Sequence, residues 1–445
     1  MAPLETRIQK RLHVSLYALL FLTALLGLSV VLEGCTDHCE VQTQFVYYEP
    51  VYTPVETIRA SVEVVGPRPV KGMGRIYFKD NYLFINEPGE GIHVIDNHDP
   101  GAPKPVRFIN IPGNYDLAIN DNTLFADSYI DLLSFDISDL NDIKLVGRKK
   151  NSFSAYNNLL GITMDPEKGI VTSLERKEEH LGTAACDVTL QPWGGFYIED
   201  GIGLPLDLAQ GFNSKAAIAP GTGSGPGLGG SLARMTINGG KLYYLNGHFV
   251  NAVDIGDPSS PVTVDSLALS WDIETIFPYE DKLFVGAQSG MYIVDVSTPG
   301  DPNFVSVYAH VVSCDPVVVS DDYAYVTLRS SNSTCTGFDN LLEVIDVRDV
   351  SNPTLVASYG MKNPHGLGID DTMLFVCDGE AGLKVYDVTD KHALTENMVA
   401  HHPFTTAIDV IPYNDVLMMI SEQGLFQYDY SNKKLKLLSQ ISVVQ

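Results

Sequence analysis

The sequence predicts an all-β chain built from a repeated four-stranded unit, and three observations predict it. A short phrase recurs in which an apolar strand ends on an aspartate, a turn rich in Ser, Asp, Asn and Pro follows, and another strand begins. Its clearest copy runs from Leu341 to Pro353, and the strand-ending aspartates are Asp96, Asp136, Asp254, Asp295, Asp346, Asp387 and Asp429. Their successive spacings are 40, 118, 41, 51, 41 and 42 residues, so most copies lie one period of about 40 residues apart. Within each period the apolar residues alternate at period two rather than 3.6, which excludes helical repeats. Units of this kind need their neighbours to bury their apolar faces, and four-stranded units at this period close radially into a β-propeller. The chain is long enough for two or three average domains, but the repeat overrules that count in favour of a single large body.

Taken in order, the first unit covers about residues 73–113 and the second about 114–153. The fourth to eighth start near Ser231, Asp272, Ser313, Pro364 and Thr405. Asp80-Asn81, Asp121-Asn122, Gly239-Gly240 and Asp321-Asp322 stand between the first two strands of their units, as tight hairpins require. The recurring aspartate is read as structural: its carboxylate can accept N–H bonds from the following turn, whose φ is preset by Pro100, Pro258, Pro299 or Pro353.

The interval of 118 residues hides a third unit. Leu159 to Met164 and Gly169 to Leu174 match the first two strands of the others, but no aspartate phrase follows. An insertion of about residues 175–230 comes instead, closing in a glycine-rich tail from Ala219 to Gly230 that has the composition of a flexible linker. Such an insertion is either a functional lid or plain disorder. Eight units favour eight blades, and the degenerate third leaves seven open. Closure has two candidates, the strand-like stretch Ile58 to Val65 or the C-terminal stretch Leu435 to Ile441.

The N-terminus supplies an address. Arg7, Lys10 and Arg11 precede an apolar run from Val14 to Leu32, the order of a secretory signal. The run is also long enough to remain as an uncleaved anchor. Leu32-Glu33-Gly34-Cys35 resembles the lipobox of bacterial lipoproteins, with Glu33 in place of the usual small residue. The resemblance implies residues 1–34 as a signal peptide, acylation of Cys35, residues 35–57 as a tether and residues 58–445 as the propeller. Val294-Asp295 and Val344-Ile345-Asp346 resemble the LVIVD repeat, and the likeness extends over about residues 70–445. With the lipobox, the chain is similar to LVIVD-repeat lipoproteins of Bacteroidetes. That implies an outer-membrane lipoprotein, exposed at the cell surface, in a family with no established reaction.

Composition narrows the function further. The formal net charge is −26 with 29 Lys plus Arg; a surface this acidic repels phosphate backbones, so nucleic acid is not an expected partner. The expected partners are a membrane, through the lipid, and a surface glycan, peptide or protein. Six cysteines show no zinc spacing. Cys314 and Cys335 fall on one face of a propeller blade, at the start of an inner strand and in the loop between second and third strands, and are expected to form a disulfide in an oxidising compartment. Enzyme signatures such as GxSxG, HExxH and phosphate loops are absent.

One constellation remains. Counting back nine residues from the aligned second strands gives Tyr115, Glu274, Asp315 and His365, with Trp271 and Asp272 beside Glu274. The last three of that series come from consecutive units, so they converge at one mouth of the central channel. Two carboxylates and an imidazole there can hold a divalent cation, or a cationic or sugar-like ligand; the simpler account is that polar residues merely solvate the starts of inner strands. The expected function is therefore a binding module that uses the channel mouth. The alternative is a metal-dependent hydrolase or lyase with His365 as general base.

Overall fold

The computed structural model describes residues 40–154, 156–157, 162–163, 167–185, 227–310, 316–330, 340–403 and 405–444. It divides into two compact units, residues 1–49 with 175–200 and residues 50–174 with 201–445. A two-stranded sheet of Glu40–Thr53 and Ile170–Ala185 contributes to the first. There Lys177 sits 2.9 Å from Glu175 and 3.9 Å from Glu49.

The second unit is the propeller. Among the described residues it has seven four-stranded antiparallel blades, covering residues 76–110, 117–149, 235–268, 273–309, 317–360, 367–402 and 407–442. Seven is the smaller of the two counts left open by the repeats, and the third unit accounts for the difference. Its expected second strand does form, as the start of Ile170–Ala185, but it pairs with Glu40–Thr53 instead of joining a blade. The stretch expected as a tether thus carries a strand, followed by the short helix Val55–Ala60. Ile58 of that helix is buried against Ile130 and Ile170, and Arg59 bonds Asp131 at 2.7 and 2.9 Å.

Each blade repeats the same local chemistry. The hairpin turns Asp80-Asn81, Gly239-Gly240, Asp321-Asp322 and Asn414-Asp415 have positive φ at both central residues, the geometry whose twist matches the flanking strands. Second strands read as continuous apolar runs because both faces of a blade press on neighbours. Leu83-Phe84, Leu124-Phe125, Leu242-Tyr243, Leu283-Phe284 and Leu374-Phe375 are all essentially inaccessible. Each such side chain contributes about 1.5–3 kcal/mol on burial. Outer strands are mostly exposed; in Val262–Ala268 only Thr263 and Leu267 are half-buried.

The recurring aspartate does the work expected of it in all seven blades. Its Oδ1 accepts the N–H two residues on, from His98, Ser138, Gly256, Ser297, Arg348, Thr389 and Ser431, at 2.9–3.1 Å. Pairing of third with outer strand slips by one residue in every blade, two residues or fewer before that aspartate or across from it. A bulge of this kind adds twist, which turns the outer strand relative to its neighbour.

The inner strands, from Ile76–Lys79 to Ala407–Tyr413, lie side by side around the axis, the last beside the first. Among the described residues, no strand is exchanged to close the ring. Lys436–Ser442 completes blade seven, as one of the two sequence candidates anticipated, whereas Glu63–Val65 adds a fifth strand outside blade one. Side chains join the first and last blades instead: Asn97 and Gln427 bond each other at 2.7 and 2.9 Å, and Ser439 donates to the Pro100 carbonyl at 2.6 Å. Val444 N–H donates to the Val70 carbonyl at 2.8 Å.

The end of the glycine-rich tail occupies the axis. Leu228-Gly229 pairs antiparallel with Phe78-Tyr77 on the inner strand of blade one. Gly227 N–H donates to Ile119 of blade two, and Ala233 O accepts from Ile276 of blade four. Ser231 Oγ accepts from Leu367 N–H of blade six at 2.9 Å. Only a segment running along the channel can reach four blades. Running antiparallel to the blade-one strand, residues 227–233 climb toward the face on which inner strands begin. The close approach needs glycine, since a Cβ on Gly227 would intrude on the Tyr77 ring and lie 3.0 Å from Phe78 O. Gly227→Ala is expected to cost about 1–3 kcal/mol in urea unfolding by overpacking. Gly72→Ala, at a site with open space around it, is expected to stay within about 0.5 kcal/mol of the parent; equal effects of the two would remove the axial segment from the account.

Candidate functional site

The mouth toward which residues 227–233 climb is built from strand starts and second-to-third-strand loops. Tyr115 and Asp116 precede the inner strand Leu117–Asn120, and Arg234 precedes Met235–Asn238. Glu274 is the second residue of Ile273–Tyr279, and Arg329 follows the second strand Tyr323–Leu328.

Buried carboxylates organise this region through backbone groups. Asp116 accepts N–H bonds from Leu117 at 2.8 Å, Met235 at 3.0 Å and Arg234. Asp127 Oδ1 accepts from Asn114 Nδ2, Tyr115 N and Asp116 N, each at 2.8 Å. Burial pushes both carboxyls up, Asp127 to about 6, because the charged form has lost its water. Arg75 ties the axial segment to blade two by donating to Leu232 O at 2.7 Å and to Tyr115 O, with its Nε 3.7 Å from Asp116. Burial, with Tyr129 and Asp127 nearby, raises the Tyr115 hydroxyl to about 12.

The sequence candidates separate as follows. Glu274 is where the strand alignment puts it, buried, with Gln288 Nε2 donating to it at 2.8 Å. Burial raises its pKa, while Gln288 and the guanidiniums of Arg234 and Arg329 oppose that shift. Its charged neighbours are thus Arg234, Arg329 and Asp272. His365 is buried two blades on; its N–H donates to Cys377 O and its carbonyl accepts from Thr327 Oγ1, both at 2.6 Å. Asp315 lies outside the described residues, as do Cys35, Cys314 and Cys335, so the expected three-residue metal group, lipidation and disulfide are not described. Although burial presses Asp272 upward, the hydroxyls of Ser270 and Ser289 hold it below its ordinary range.

Trp271 is the outlier. It is 82% exposed, in a chain whose only other tryptophan is Trp193. Its ring stacks on His248 at 3.9 Å between centroids, and His248 stacks on Phe249 at 4.0 Å. Trp271 stands in the connection into blade four and His248 in the turn between second and third strands of blade three, so both belong to the mouth face. Arg234 and Arg329 escaped sequence reasoning because the alignment followed a register that carries carboxylates. Their positions beside strand termini, in a chain so poor in cations, were the available signal.

Residues 276–310 and 313–360 match the LVIVD repeat. Blades four and five carry it. No curated protein matches the sequence. Among solved structures, the computationally designed Ika8 protein is similar at 9% identity and a TM-score of 0.49, covering 86% of this chain and 92% of that one. Hsv2 of Kluyveromyces lactis is 11% identical over 86% of this chain and 100% of its own, at a TM-score of 0.45. BamB of Moraxella catarrhalis is 10% identical over 86% and 91%, at 0.41.

The two kinds of carboxylate predict a maximum in stability against pH. Asp127, raised to about 6 from an ordinary value near 4, binds its proton more readily folded than unfolded, so stability should climb as pH falls from 7 toward 5. Asp295, bonded by Ser297 and Lys282, and Asp387, bonded by Lys433 and Thr389, are held down to about 2. Their contribution is present above pH 4 and is lost as pH falls through 2. Thermal midpoints from pH 7.5 to 2.5 should pass through a maximum near pH 4–5, and Asp127→Asn should flatten the upper limb. A monotonic decline from pH 7 would contradict the assignment.

Proposed function

We propose that this chain is a lipid-anchored, extracytoplasmic propeller that acts as a binding module, recognising a surface glycan, peptide or protein with the mouth face. The observation that carries the reading is the Trp271–His248–Phe249 stack. A tryptophan left exposed at 82% forgoes a burial contribution of about 1.5–3 kcal/mol, yet His248, itself stacked on Phe249, holds its ring from one side. Preorganised aromatic faces of this kind anchor ligands at low entropic cost. The rigid propeller behind it supports a recognition face assembled from loops.

The address rests on the sequence alone, on the basic start, the apolar run and Cys35. Several acyl chains buried at about 0.8 kcal/mol per CH₂ give stable attachment. In the native host, Cys35→Ser is expected to accumulate as unprocessed precursor; normal processing of that variant would remove the lipid from the account.

For the face itself, the test is Trp271→Ala on combined glycan and peptide arrays. The variant should keep the parent's stability to within about 0.5 kcal/mol, as exposed substitutions do, and lose array binding. Binding undiminished by the change would move recognition off the mouth.

A further inference from the structure

The mouth face also gathers guanidiniums among its carboxylates. Arg234 and Arg329 flank Glu274, on blades three, five and four respectively. Among the described residues, neither guanidinium has a hydrogen bond or an ion pair, and Arg234 Nε is fully shielded from solvent without an acceptor. Among the described residues, the carboxylates that act on Arg234 and Arg329 are already engaged: Asp116 by three backbone N–H groups, Asp127 by two backbone N–H groups and Asn114, and Glu274 by Gln288. Arg75 is likewise spent on two carbonyls. The donors left over belong to two planar forks that share Glu274 as a charged neighbour, each with five N–H groups suited to a two-oxygen acceptor.

Leaving such donors unmet is costly in a folded protein. Burial, with Arg75 close by, opposes the charge of Arg234, and burial opposes that of Arg329; Glu274 favours both charges but is itself pushed toward its neutral form. A chain of net charge −26 has carboxylates to spare for neutralising two arginines, and it uses the local ones to hold backbone amides instead. Desolvated guanidiniums with no acceptor are the arrangement a protein keeps for an acceptor supplied from outside.

We propose that the channel mouth binds an oxyanion, a carboxylate or phosphate group carried by the ligand, between Arg234 and Arg329. This deepens the binding reading above and rests on it for the location of the recognition face. It replaces the cation expected from Glu274, Asp315 and His365 with a ligand of opposite sign. In this arrangement Glu274 is the countercharge of the two guanidiniums. Trp271 provides a ring surface on the same face for the part of the ligand that carries the anion.

The test uses the full-length chain in detergent, with sodium glucuronate, inorganic phosphate and uncharged glucose as probes, followed by thermal midpoint and calorimetric titration. Glucuronate or phosphate should raise the midpoint and glucose should not; whichever anion acts identifies the source of the oxyanion. Arg234→Met and Arg329→Met should each weaken that anion by at least about tenfold, the scale of one lost charge-assisted pair. Without ligand, Arg329→Met should melt no lower than the parent, because it removes a desolvated charge rather than a contact. Arg329→Lys, which keeps the charge but loses the fork, guards against a folding defect and should bind at an intermediate strength. No response to either anion, or a response unchanged in both methionine variants, would overturn the inference. Array binding that depends on Trp271 without any anion response would overturn it alone and leave the binding module standing. An anion response lost in both methionine variants, with array binding indifferent to Trp271, would support it and remove the aromatic anchor instead.

Discussion

The axis of this propeller is filled by main chain, and the rest of the arrangement depends on that filling. Inner strands turn one edge toward the centre, where unpaired N–H and C=O groups would otherwise line a channel. Gly227–Gly230 bring a backbone close enough to pair with the Phe78–Ile76 edge. Ser231 and Ala233 then reach blades six and four. The segment ends at Arg234, whose own amide is fixed by Asp116. The packing that holds the centre thus also fixes the position of a residue at the mouth.

Much of this was legible in the sequence because the responsible interactions are local. A strand, an aspartate and the N–H two residues later form one contiguous unit, so its seven copies, from Asp96 to Asp429, report turns, strands and period together. The third unit was misjudged for the opposite reason. Gly169 to Leu174 is as fit for a strand as its counterparts, and its fate was decided by a distant partner, Glu40–Thr53, whose composition reads as a tether. Closure between blades one and seven rests on Asn97 and Gln427, 330 residues apart, and no periodicity announces such a pair. At the mouth, the alignment register found Glu274 and His365 but not the arginines, which lie in other registers on other blades.

Acidic residues play two separate parts here. On the rim they are half-buried with water still in reach, accept turn amides and sit below their ordinary pKa, as Asp295 and Asp387 do. Near the axis they are buried, also accept amides, and sit above it, as Asp116 and Asp127 do. The hydrogen-bonding role is the same, and access to water reverses the sign of the shift. Composition alone, with its large negative charge, conceals this division. A chain read as uniformly acidic has a centre whose uncommitted donors are cationic.

The axial segment also bears on how this chain can change by duplication. Repeat proteins commonly gain or lose copies, since each unit contacts only its neighbours. Here one segment spans the ring, with Gly227 on blade two, Gly230 on blade one, Ser231 on blade six and Ala233 on blade four. An eighth copy would widen the ring, and these bonds could not all be kept by a single backbone. The filled axis therefore acts as a gauge of copy number, and a lineage that inserts a blade must first free its centre.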